Sequence, residues 1–150
     1  MAELITADFV DLDLSAGERE GVNRDLAQRL AGAGRVTDLE GFLADLRERE
    51  AQMPTGIEGG IGIPHARSAH VTEPTLGFGR STSGVDFGAD DGPAHLIFLI
   101  AAPEGGGDEH LSVLGALARR LMHQSFRQSL LDAPDTEAVV RLVREEVLGQ

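Results

Sequence analysis

The feature that most narrows what this chain can fold into is the run from Ala94 to Ala102, which passes through His95, Leu96, Ile97, Phe98, Leu99 and Ile100. Its apolar part, Leu96 to Ala102, is too short to span a bilayer. A continuous apolar run of this length reads as a strand buried on both faces. Such a strand needs a covering layer on each side, and the rest of the sequence offers helices for both.

Before that run, Leu4 to Leu14 alternates loosely through Phe9, Val10, Leu12 and Leu14 and reads as an opening strand region. Ser15 and Glu18 have the spacing of a capping box, and Val22, Leu26, Leu30 and Ala33 follow at helical intervals until Gly32 and Gly34. Thr37 and Glu40 form a second capping box, with Leu39, Phe42, Leu43 and Leu46 on one face. This second helix runs towards Glu50 and delivers Arg49 to the loop before His65.

Thr75 to Ser81 reads as a strand, and Asp90-Asp91-Gly92-Pro93 as a turn. Pro103 to Glu109 is a glycine-rich loop. It opens a helix near His110 whose stripe is Leu111, Leu114, Leu117, Ala118 and Leu121. Helical segments near Ser125 to Leu131 and Thr136 to Leu148 complete the chain, separated by Ala133-Pro134-Asp135. Helices alternating with strands imply an α/β domain, a sheet with helices on its faces. With no internal repeat and no linker, residues 1–150 read as a single domain.

Charge and composition remove several functions. A net charge of −12 argues against nucleic acid and against an anionic membrane surface. All 13 basic residues are arginine, which excludes a P-loop lysine or a Schiff base. The absence of cysteine excludes disulfides, zinc thiolates and a thiol nucleophile. Six Phe without Trp or Tyr supply few stacking platforms for bases or sugars. With no basic start followed by an apolar segment, the expectation is a cytoplasmic protein without direct membrane insertion.

The stretch Thr55 to His70 carries the functional signal. Gly56, Gly59, Gly60 and Gly62 fall close together and suggest accessible backbone N–H groups. Ile61 and Ile63 alternate with glycine as a short strand, Pro64 ends the ladder, and His65 follows, with Arg67 two positions on. A strand end is a rigid place from which to aim an imidazole.

The histidines are not equivalent. His65 and His110 stand at element edges. His95 lies within the apolar strand and reads as a buried, hydrogen-bonded structural residue, while His70 and His123 read as surface residues. A metal site from His65, His70, His110, Asp108 and Glu109 has donor atoms but unfavourable spacing. Gly79 to Gly84 lacks the spacing of a hydrolase nucleophile elbow, and Gly60-Ile61-Gly62 is not a dinucleotide fingerprint.

Arg49-Glu50, Thr55-Gly56-Ile57 and Gly60-Ile61-Gly62-Ile63-Pro64-His65-Ala66-Arg67 together resemble the active-site signature of the fructose/mannitol-type enzyme IIA domains of the bacterial phosphotransferase system. Further similarity lies in Gly84-Val85-Asp86-Phe87-Gly88, in Ala94 to Leu99, in Ala101-Ala102-Pro103, and in His110-Leu111-Ser112-Val113-Leu114. The resemblance implies a mixed sheet flanked by helices. It implies His65 as the phosphoryl acceptor, His110 as a neighbour that stabilises the phosphoryl group or orients the ring, and Arg49 as a fixed positive charge. These roles suit the chemistry. A neutral imidazole is a competent nucleophile near its ordinary pKa of about 6.5, and a loose phosphoryl transition state asks mainly for positioning and charge stabilisation.

By the same resemblance the donor is HPr and the acceptor an enzyme IIB on a separate chain, with no cofactor or metal on this domain. Ile57, Ile61, Ile63 and Leu111 are the expected apolar rim around His65. A nitrogen-type regulatory relay and a binding module that has lost transfer are the alternatives. Glu58 stands where members often have a small residue, so its carboxylate either repels a phosphoryl group or points into water. Gly62 stands where alanine is usual.

Overall fold

The computed structural model describes residues 3–105 and 109–150, at 109 and 110 the backbone alone. Its sheet is built on β6 (Ala94–Pro103), the apolar run identified above. One edge of β6 pairs antiparallel with β5 (Thr75–Val85). Its other edge pairs parallel with two short strands, β3 (Ile61–Gly62) and β4 (His65–Ser68). Beyond β5 lies β1 (Val10–Asp11), parallel to it, and beyond β3 lies β2 (Gly56–Ile57), antiparallel. The sheet is therefore mixed, as expected.

Alternation along β6 divides the core into two layers. Leu96, Phe98 and Ile100 pack on the side of α3 (Glu109–Leu121), α4 (Gln124–Asp132) and α5 (Thr136–Glu146), together with Leu117, Phe126, Leu130, Val139 and Val143. Ile97, Leu99 and Ala101 pack on the side of α1 (Arg19–Gly32) and α2 (Leu39–Gln52), with Leu26, Leu30, Phe42 and Leu46. Each fully buried side chain of this size contributes about 1.5–3 kcal/mol by leaving water. Gly79 of β5 lets α1's approach come close, since a Cβ there would fall 2.6 Å from the Leu14 side chain.

Several expected boundaries move. The opening strand region is mostly not strand: Ala7–Phe9 forms a 3-10 turn and only Val10–Asp11 pairs. Ser15 does not cap α1, which starts at Arg19 after Glu18, with no side-chain cap. The chain is still tied to β5 at Leu14, whose N–H donates to the Arg80 carbonyl at 3.0 Å. Nor does Thr37 cap α2. Its N–H and hydroxyl both donate to the His70 carbonyl, so Asp38 takes the position and accepts from the Gly41 N–H. At the other end, α5 starts at Thr136 as expected, capped by Asp135 through the Ala138 N–H.

Candidate active site

The geometry around His65 begins at Pro64. Gly62 lies opposite Ile97 and His65 opposite Ile100, three residues further on each strand, so the register is unchanged across the gap. Pro64, with no N–H, interrupts the ladder without shifting it. His65 is thus the first residue of a strand rather than the residue after one. On the proline's other side the Ile63 N–H turns away from β6 and donates to the Thr55 carbonyl at 3.0 Å.

The His65 ring is half-buried, and its Nδ1 lies 2.8 Å from the Ile63 carbonyl oxygen. A carbonyl only accepts, so this contact places the proton on Nδ1 and, in the neutral ring, the lone pair on Nε2. His65 opens onto a cleft of about 480 Å3. One wall is α2, through Asp45, Glu48, Arg49 and Gln52. The other is the first turns of α3, through Leu111 and Leu114. Arg49 is half-buried, and its Nη1 donates to the Met53 carbonyl at 3.4 Å, one weak bond among five available donors.

A slightly larger cavity of about 510 Å3 lies between the N-terminal segment and α5. Its lining includes the Glu3–Arg144 pair at 2.8 Å but no histidine. The cleft at His65 is the better candidate because it joins an imidazole to two guanidinium groups.

Sequence reasoning brings His65 and Arg49 to one cleft. For His110 the structure gives the backbone, in the first turn of α3 and next to Leu111; its side chain lies outside the described residues. Arg67 also lines the cleft, and period-two alternation from His65 is the signal that finds it. Asp45 and Gln52 stand four before and three after Arg49, so helical periodicity finds them too. Among the described residues, two arginines and two carboxylates leave the charged lining formally balanced, in a chain whose net charge is −12.

Three site expectations are corrected. Ile61 and Ile63 do not form a rim: both are buried in the core beneath α3 to α5, while Ile57 and Leu111 are exposed. The N–H groups of Gly56 and Gly59 are not displayed for a ligand. Gly56 donates to the Phe87 carbonyl and Gly59 to Asp91 Oδ2, so these glycines serve a tight hairpin. Gly59 and Gly60 have φ of 102° and 77°, the left-handed region that favours glycine. His95 is half-buried rather than buried, though its Nδ1 does meet the Ser81 carbonyl, at 2.8 Å.

The two unusual residues also find their places. A Cβ at Gly62 would fall 2.8 Å from the Phe87 ring, which fills the space an alanine methyl would take. Glu58 is exposed at the turn between β2 and β3 and is not part of the cleft's lining. Among the described residues, no group of three or more His, Asp or Glu is placed to hold a metal ion.

Residues 3–146 match the family described as phosphoenolpyruvate-dependent sugar phosphotransferase system, EIIA 2. A fructose-specific EIIA component of Haloferax volcanii is 42% identical over 141 residues, covering 93% of this chain and 92% of that protein. The fold is similar to the nitrogen regulatory protein IIA-Ntr of Neisseria meningitidis, with TM-score 0.86 and 30% identity over 93% of this chain and 96% of that one. It is also similar to the mannitol enzyme IIA of Escherichia coli, solved in complex with phosphorylated mannitol enzyme IIB. There the TM-score is 0.77 at 24% identity, over 97% and 98% of the two chains, a likeness of fold. The chain belongs to the type 2 EIIA family of the sugar phosphotransferase system, and is a phosphotransferase component of it.

Proposed function

We propose that His65 carries the phosphoryl group, received from the phosphohistidine of HPr and passed to an enzyme IIB domain during sugar uptake. The observation that carries this reading is the 2.8 Å contact between His65 Nδ1 and the Ile63 carbonyl, at the mouth of a cleft shared with Arg49. It presents Nε2 as the nucleophile. In the transfer, a phosphorus–nitrogen bond forms to Nε2 as the one to the donor imidazole breaks, and the electron pair of the broken bond stays on the donor nitrogen. No proton crosses, because each ring keeps the proton on its other nitrogen.

As His65 takes the phosphoryl group its ring becomes more positive, and the bond from Nδ1–H to the Ile63 carbonyl strengthens. Arg49 offers a fixed positive charge to the equatorial oxygens, and His110, whose backbone precedes Leu111 of the cleft wall, takes the part of the second histidine that the family resemblance implies. The metaphosphate-like group is positioned more than it is chemically activated.

An enzyme IIB acceptor is supported by the complex formed by the Escherichia coli mannitol relative. A fructose substrate is supported by the name of the Haloferax relative. No helix among the described residues is long and apolar enough to cross a membrane. The nitrogen-type relay keeps one observation in its favour, the high TM-score to the Neisseria protein. Labelling by the sugar-type HPr, and a IIB/IIC transporter among the neighbouring genes, would separate transport from a relay that answers to its own HPr paralogue.

The test is incorporation of labelled phosphate from phosphoenolpyruvate in the presence of enzyme I and HPr. Wild type should take an acid-labile label, His65→Ala none, and His110→Ala should label slowly. Wild type that stays unlabelled with its own organism's enzyme I and HPr overturns the carrier role.

A further inference from the structure

We infer that Glu50 is a positioning residue for His65, acting through Thr55 and Ile63. The inference rests on His65 as the phosphoryl carrier and adds how its ring is aimed.

Glu50 lies in the last turn of α2, where a carboxylate faces the negative end of the helix dipole and is disfavoured. Yet its side chain is drawn in, only 11% exposed, and both oxygens are used. Oε2 accepts from the Thr55 N–H at 2.7 Å, and Oε1 accepts from the Thr55 hydroxyl at 2.6 Å. Arg19 Nη1 stands 3.5 Å from Oε2 and balances the charge. Thr55, itself buried, accepts the Ile63 N–H at its carbonyl, and the Ile63 carbonyl accepts His65 Nδ1–H.

Four residues thus form one line of hydrogen bonds from the end of α2 to the imidazole. The line matters because Pro64 has removed a ladder donor next to the histidine. The Thr55–Ile63 bond on one side of that gap, and the bond from the Ile100 N–H to the Pro64 carbonyl on the other, set the direction of the Ile63 carbonyl. That carbonyl selects the Nδ1–H tautomer. Neighbouring residues on one helix therefore divide the work: Arg49 faces the cleft with charge, and Glu50 holds the nucleophile's support from behind.

The experiment compares Glu50→Ala, Glu50→Gln and wild type by nitrogen NMR of the His65 ring in the unphosphorylated protein, and by single-turnover transfer from phospho-HPr. In Glu50→Ala the ring should change from one Nδ1–H tautomer to a mixture. Transfer should slow about tenfold or more, with little change in KM for phospho-HPr. In Glu50→Gln the amide oxygen can accept the Thr55 N–H while its NH2 donates to the hydroxyl, so tautomer and rate should both be rescued.

A wild-type ring spectrum in Glu50→Ala overturns the inference, as does a rate lost equally in both variants with the ring unchanged. Should Glu50→Ala fail to fold, Glu50→Asp decides, because its shorter side chain withdraws the carboxylate from the Thr55 N–H: a shift towards mixed tautomers supports the line of bonds, and an unaltered ring overturns it. The ring spectrum needs no donor. A wild type that takes no label therefore overturns the carrier role, whereas an unmoved ring overturns the role of Glu50 alone.

Discussion

The two walls of the cleft are made from different physics. Behind His65, the α2 to β4 wall is tied by directional bonds. Glu50 holds Thr55 through two contacts, Thr55 holds Ile63, and Asp45 accepts the Ser68 hydroxyl at 2.6 Å. Across the cleft, the α3 wall presents Leu111, 55% exposed, and Leu114, which packs half-buried against the core that Leu117 and Leu121 enter fully. Hydrogen bonds fix angle as well as distance, which suits a nucleophile that must be aimed. Apolar contact is non-directional, which suits a lip that meets a donor and an acceptor of different shape in turn. The contrast implies that changes on the first wall alter the chemical step and changes on the second alter docking.

Arg49 gives the largest effect in this comparison. Arg49→Ala should lower the single-turnover rate of phosphoryl transfer about a hundredfold, the size expected for deleting one charge-stabilising donor. Its bond to the Met53 carbonyl is long, at 3.4 Å, so thermal stability should fall by less than about 1 kcal/mol. Arg49→Lys should recover part of the rate, because an ammonium keeps the charge without the planar fork. A wild-type rate in Arg49→Ala would break the contrast and leave the first wall as scaffold.

What was legible beforehand follows the same division between local and distant causes. The buried strand at Leu96 to Ala102 and the stripe that places Arg49 at the end of α2 are written in adjacent residues, and they stand. Pro64 does break the ladder, but pairing to β6 resumes at His65 in unchanged register, so the histidine opens a strand instead of following one. The caps at Ser15 and Thr37 fail because distant partners intervene, the Arg80 carbonyl holding Leu14 and the His70 carbonyl holding Thr37. Alternation at Ile61 and Ile63 correctly marks a common face. It cannot say whether that face meets water or helices, and here it meets the α3 to α5 core. The glycine stretch suggests displayed N–H groups, but Phe87 and Asp91, some thirty residues on, consume those of Gly56 and Gly59. Glu50 was visible as half of an Arg-Glu pair, yet its partner Thr55 sits across a helix end that spacing alone does not fold back.

Leu111 offers the opposite test. Leu111→Ser should raise KM for phospho-HPr several-fold, with the single-turnover rate at saturation unchanged, since the side chain lies on the rim of the cleft rather than against the ring's hydrogen bonds. With the side chain more than half exposed, stability should stay within about 0.5 kcal/mol of wild type. Titrating the rate against phospho-HPr concentration separates the two parameters. A fall in the saturating rate would mean that the apolar wall also shapes the reacting geometry, and the division between walls would be lost.

The smallest effect asks whether polar ties on the α1 and α2 side matter for transfer only where they stand behind His65. Asp25 on α1 shares a hydrogen bond with Asp11 beside Arg29, away from the cleft. Burial, then the bond to Asp11 and its charge, push the Asp25 carboxyl up to about 6, with Arg29 opposing. Burial also acts to raise Asp11. The bonds from Asp25 and the Asp13 N–H, and then the charge and hydrogen bond of Arg29, outweigh it and leave Asp11 below its ordinary value. Because Asp25 binds its proton more tightly folded than unfolded, its stabilising contribution is complete below about pH 4 and is lost as pH rises through about 6. Asn at this position keeps a donor for Asp11 at every pH. Asp25→Asn should therefore match wild type near pH 4 and exceed it at pH 8. With the side chain 34% exposed and screened by solvent, the gain should be under about 1 kcal/mol, a few degrees in Tm. Phosphoryl transfer at pH 8 should be unchanged. A variant that gains stability and loses transfer would show that the whole helical layer, and not only the line of bonds from Glu50, tunes the histidine.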